Sequence, residues 1–208
     1  MPALVGPGRV INEAYYAIAK DGEPIGEERI AIGVVDGRRV VVAQWFSEFG
    51  GHFETAYTVA PSSMTISSKG PSGTAQLAGD VVDGKLMVTG TGVDGKPVTA
   101  SARLPENGFL FNGAVGGFCV LIDKLRDMEV GQKRELESLQ ILVEHAPPIG
   151  SARHQVKRQP DAGDNRVFTV ATEAGRFRQT AELLVDPEGF IITQSVRGPV
   201  NLTYTRRP

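Results

Sequence analysis

The chain has 208 residues, long enough for one well-buried domain of the all-β kind, which often reaches this size undivided. Its formal charge of −2 and pI near 6.0 exclude a sequence-independent attraction to nucleic acid or to anionic lipid. A hydrophobic fraction of 41% with 22% charged residues is that of an ordinary soluble globular protein, and 25 glycines with 13 prolines supply the turns of many short connections.

Cys119 is the only cysteine, which rules out an internal disulfide and a thiolate metal site within one chain. It stands in the apolar stretch "GFCVLIDKL", where a buried, inert thiol is expected. The opening "MPALVGPGRV" holds no apolar run long enough for a secretion signal or a membrane span. As the sequence stands this implies a cytoplasmic protein, or a periplasmic one whose export signal has been removed.

Period-two patterns dominate the chain. In "IGEERIAIGVV", Ile30, Ile32 and Val34 face one way while Glu27 and Arg29 face the other. "RRVVVAQWFSEF", "SGTAQLAGDVV", "KLMVTGTGV" and "KPVTASARL" read as further strands of similar length. Asp-Gly pairs fall between strands at Asp21-Gly22, Asp36-Gly37, Asp83-Gly84 and Asp94-Gly95. Such pairs tolerate the positive φ angles of tight hairpins, so they predict consecutive antiparallel strands rather than crossover helices.

One segment breaks the alternation. In "GGFCVLIDKLRDM", Phe118, Leu121, Ile122 and Leu125 recur at helical spacing, opposite Asp123, Lys124, Arg126 and Asp127. The spacing predicts a short amphipathic helix of about three turns from Gly117 to Met128, ended by Val130-Gly131. Strands resume at "RELESLQILVEH" and continue through "SARHQVKRQ", "RVFTVATEA", "RFRQTAELLVD", "GFIITQSV" and "VNLTYTR". No composition shift or flexible linker divides the chain, so residues 1–208 read as a single β-rich domain.

"GTGVDG", Gly90 to Gly95, matches the glycine fingerprint of dinucleotide binding, which needs a strand before it and a helix after it. A strand containing a proline follows instead, so the motif reads as a hairpin. His52, His145 and His154 are far apart and lack ligand spacing, and no Gly-x-Ser-x-Gly elbow is present. His154, among basic residues in "SARHQVKR", is expected on a solvated strand face. "NLT" at Asn201 matches a glycosylation acceptor but falls in a predicted strand, and is read as chance.

"QWFSEFGGHFETAY" is the most informative stretch. It holds Trp45, Phe46, Phe49, Phe53 and Tyr57, five of the nine Phe, four Tyr and one Trp of the chain. After a turn at Gly50-Gly51, His52 and Glu54 share one strand face and Phe53 takes the other. An imidazole and a carboxylate near aromatic walls can serve as an acid/base pair. The same pattern also describes a hairpin whose rings fill the core, with His52 and Glu54 at the surface.

Three places resemble a bacterial family of uncharacterised β-rich domains. "YAIAKDGEPIGEERIAI" is similar to its first hairpin, "LIDKLRDMEVGQKRELESL" to its short helix and Val-Gly step into a strand, and "AELLVDPEGFIITQSV" to its final hairpin. The resemblance implies a fold like the half-barrels of periplasmic lipoprotein carriers. Members of the family usually begin with an export signal, and none is visible in this sequence.

The expected fold is all-β and mainly antiparallel: a strongly curved sheet or half-open β-barrel with one short helix across the concave face. Such a cavity suits a lipid-like or other hydrophobic small molecule, held by Trp45, Phe49, Phe53 and Tyr57. The alternative is a cofactor-free isomerase, cyclase or hydrolase that uses His52 and Glu54 in the same cavity. A structural or interaction domain stays open, because edge strands can pair with partners. No cofactor, metal, nucleic acid or membrane span is expected, and the oligomeric state is not specified.

Overall fold

The computed structural model describes residues 9–35, 38–48, 53–60, 62–111 and 113–207. Among these, eight strands come first: β1 (Arg9–Lys20), β2 (Glu23–Val35), β3 (Arg38–Ser47), β4 (Phe53–Ala60), β5 (Ser63–Gly70), β6 (Gly73–Val82), β7 (Lys85–Thr91) and β8 (Pro97–Arg103). A two-residue strand β9 (Phe109–Leu110) leads to the helix α1 (Val115–Asp123). Then follow β10 (Lys133–Ile141), β11 (Ile149–Ala162), β12 (Asn165–Ala174), β13 (Phe177–Val185), β14 (Ile191–Arg197) and β15 (Leu202–Arg206).

All of the strands belong to one sheet, ordered β8-β7-β6-β5-β4-β3-β2-β1-β15-β14-β13-β12-β11-β10-β9. Each pair is antiparallel except β9 with β10. The sheet is thus two meanders joined where β1 meets β15, and it curls until β8 comes close to β11 without pairing to it. This is the curved, half-open, mainly antiparallel architecture that the alternation and turns predict.

Local chemistry sets the corners. Asp21 and Gly22 both lie at positive φ (48° and 90°), as do Asp83 and Gly84 (50° and 71°). These are the backbone values of the tight turn that Asp-Gly favours. At Asp94-Gly95 only the glycine is left-handed, and the dinucleotide-like motif is a hairpin loop closed by the Gly92 N–H donating to the Lys96 carbonyl at 2.9 Å. Asp36-Gly37 lies outside the described residues.

The helix begins two residues earlier than the spacing predicts and ends five residues earlier. Its start is moved by a partner distant in sequence, the Glu28 carboxylate on β2, which accepts from the Val115 and Gly116 amides at 3.0 and 3.1 Å. Its end tightens into successive three-residue turns, with Lys124 N–H to Leu121 O, Leu125 N–H to Ile122 O and Met128 N–H to Leu125 O. The apolar stripe is preserved across that change. Phe118, Leu121, Ile122 and Leu125 are all buried, and α1 packs on β3, β4 and β14.

Cys119 is buried, as its surroundings predict. No helix among the described residues is long and apolar enough to cross a membrane.

Candidate functional site

The register of the aromatic stretch is Ala43 with Tyr57, Trp45 with Thr55, Phe46 with Glu54 and Ser47 with Phe53. Trp45 packs against the core, whereas Glu54 is exposed beside Phe46. Strand alternation therefore puts Trp45 and Glu54 on opposite faces of the sheet. Phe49 and His52 lie outside the described residues, as do the side chains of Phe53 and Tyr57.

The same alternation aligns a polar row along the inner face. Tyr16 pairs with Glu28, Glu28 with Trp45, Trp45 with Thr55 and Thr55 with Ser68, so five neighbouring strands each contribute one residue. The Tyr16 hydroxyl donates to the Ile191 carbonyl at 2.7 Å, and the Thr55 and Ser68 hydroxyls lie 3.1 Å apart. Glu28 is fully buried, and it meets the positive end of α1 with one oxygen on each of two amides. The helix has no side-chain cap of its own and no acid in its first turn, so Glu28 supplies both from β2, the strand next to β3 on which the helix packs. Burial pushes the Tyr16 and Tyr204 phenols well above their ordinary range, reinforced at Tyr204 by the nearby Glu28 charge.

Two buried groups on this face have no hydrogen-bond partner among the described residues: the Trp45 indole N–H and both amide atoms of Gln194 on β14. An unpaired buried donor costs about 1–3 kcal/mol, so each is a position where a bound polar atom would gain more than at an exposed site.

A second polar cluster lies across β10, β11 and β12. Contrary to the solvated position expected for it, His154 is fully buried: Ala152, His154, Val156 and the buried Arg158 share the inner face, while Arg153 and Lys157 point out. Its Nε2 is 2.8 Å from the Ser138 hydroxyl and its Nδ1 is 3.0 Å from the Thr172 hydroxyl. The Phe111 and Phe109 ring centroids stand 4.7 and 5.5 Å from the imidazole. A serine against an imidazole is half of a nucleophile–base pair. Here both are sealed by phenyl rings, and the third partner is a threonine rather than a carboxylate. The trio satisfies buried polar groups, with hydroxyls able to donate to one ring nitrogen and accept from the other.

Burial lowers the His154 pKa from 6.5 to about 4. The unfolded chain then binds a proton below about pH 6.5 that the folded protein refuses until about pH 4. The stability is fully present above 6.5 and is lost as pH falls, by about 3 kcal/mol for a shift of that size. Urea unfolding of the wild type and His154→Asn at pH 7 and pH 4 checks this. The wild-type advantage should shrink by that amount, and an advantage independent of pH would contradict the burial argument.

No protein-family model matches the chain, and no curated protein matches it. Among solved structures, it is similar to the β-barrel-like protein of domain of unknown function DUF1849 from Brucella abortus. The TM-score is 0.55 at 12% identity, over 96% of this chain and 98% of that one. At this identity the likeness shows the fold: a β-barrel-like architecture shared with a domain of unknown function.

Among the described residues, no group of three or more His, Cys, Asp or Glu is arranged to hold a metal ion. Glu28, Gln194 and the Ser138–His154–Thr172 trio are not among the candidates that motifs and local spacing single out. Alternation held a signal for Glu28, which shares the face of Ile30 and Ile32. Which strands would bring partners to it had no local signal.

Proposed function

We propose that the protein binds a small amphipathic molecule along the inner wall at Trp45, Thr55 and Ser68. The observation that carries this reading is the Trp45 indole: packed against the core, yet with its buried N–H unpartnered. A ligand acceptor atom would take that N–H, while the ring supplies apolar contact at small entropic cost. The flanking hydroxyls of Thr55 and Ser68 extend the polar side of the same wall. Because α1 fills the middle of the concave face, the ligand lies beside the helix rather than beneath it. The carrier-like half-barrel suggested by the sequence fits the same reading.

Trp45 is the only tryptophan, so its emission reports on this wall without competition. Titration with oleate, lysophosphatidylcholine and medium-chain alcohols should change the emission for at least one class. In native mass spectrometry, Trp45→Ala should weaken retention of that ligand about tenfold or more. Trp45→Phe keeps a ring but removes the donor, and should cost about 1 kcal/mol. His52→Ala should leave binding unchanged. Emission indifferent to every class, with no ligand retained by the wild type, would overturn the proposal.

A further inference from the structure

At the end of α1 remote from Glu28, a cleft of about 120 Å³ opens between the helix, β12, β13 and the 186–190 turn. Ile122, Phe168 and Val185 form its apolar part, and Arg126, Arg166 and Glu188 its charged part. The turn that forms one rim is held firmly. The Asp186 carboxylate accepts from the Phe190 amide at 2.8 Å, and the Gly189 amide donates to the Asp186 carbonyl at 3.0 Å.

Arg166 is the unusual residue. It pairs with Val185 and shares its strand face with Phe168 and Val170, two core residues, so alternation turns a cation inward. Its Nη1 donates to the Arg126 carbonyl at 3.3 Å, which uses one of the five donors of a guanidinium. No carboxylate among the described residues forms an ion pair with Arg166, and Arg126 is already engaged by Asp123 at 2.8 Å. Glu188 is exposed on the rim and bonds to neither arginine.

An inward, half-buried guanidinium with free donors above apolar side chains fits one ligand chemistry. We propose that this cleft binds a small organic carboxylate, its anion paired to Arg166 and its short chain lying on Ile122, Phe168 and Val185. The planar fork of arginine matches a carboxylate with two parallel hydrogen bonds, and apolar surroundings strengthen the pair. The cleft shares no residue with the Trp45 wall and stands or falls separately from it.

Isothermal titration calorimetry of the whole chain with hexanoate, hexanol and acetate tests the proposal. Hexanoate should bind more tightly than either the neutral alcohol of equal length or the anion without a chain. Arg166→Gln should weaken hexanoate about tenfold or more, the loss expected for a charged hydrogen-bonded pair, while leaving hexanol unchanged. Arg166→Lys, which keeps the charge without the fork, should fall between. Hexanol binding as well as hexanoate would overturn the proposal, as would no binding of hexanoate by the wild type. An unchanged hexanoate affinity in either folded variant would do the same. Should Arg166→Gln fail to fold, the wild-type comparison and Arg166→Lys still decide.

Discussion

Replacing Leu125 by Asp is expected to destabilise the protein by about 4 kcal/mol or more, enough to unfold a domain of ordinary stability. Leu125 is completely buried, just beyond the last residue of α1, and its amide donates to Ile122 O at 3.0 Å. The backbone there is fixed, so an aspartate cannot swing out to water, and the acidic neighbours Asp123 and Asp127 would repel it. Leu125→Met changes shape but not polarity and should cost less than about 1.5 kcal/mol. Urea unfolding of both variants separates charge burial from packing. Wild-type stability in the aspartate variant would mean that the stripe beyond α1 does not cover the sheet.

Glu28→Ala is expected to cost about 4 kcal/mol, by a different route. It strands the Val115 and Gly116 amides, each worth about 1–3 kcal/mol when buried without an acceptor. It also removes the negative charge that faces the helix N-terminus. Glu28→Gln retains one acceptor oxygen, so it should recover roughly half the loss. The measurement is the same unfolding experiment, joined to hydrogen exchange at residues 115–118. Faster exchange there in Glu28→Ala, with the remaining strands still protected, would locate the damage at the helix start. Equal protection in both proteins would mean that α1 does not depend on Glu28.

The strands were legible because each is specified by neighbours in the chain. Asp21-Gly22 and Asp83-Gly84 need only two residues to turn, and the flanking alternation assigns the faces. The stripe of Leu121, Ile122 and Leu125 is equally local, and all three are buried as expected. The helix boundaries were less legible, because a carboxylate 87 positions away in sequence from Val115 determines where α1 starts. His154 shows how composition can mislead where period does not. Arg153 and Lys157 suggested solvent, yet Ala152 and Val156 on its own face pointed to burial. Ser138 and Thr172 then complete its bonds from strands that only the folded sheet brings alongside. The inward position of Arg166 follows from alternation with Phe168, but the cleft beside it depends on α1 and the 186–190 turn.

The pairing of β1 with β15 has a consequence for how the chain folds. All other antiparallel partners are consecutive in sequence, so each meander can grow hairpin by hairpin from contacts of short sequence separation. Only the match of residues Tyr16–Lys20 with Leu202–Arg206 spans almost the whole chain. The entropy of closing so large a loop rises only logarithmically with length. The topology therefore resembles a zip with a single slider: two arms of local hairpins, joined by one match between an early strand and a late one.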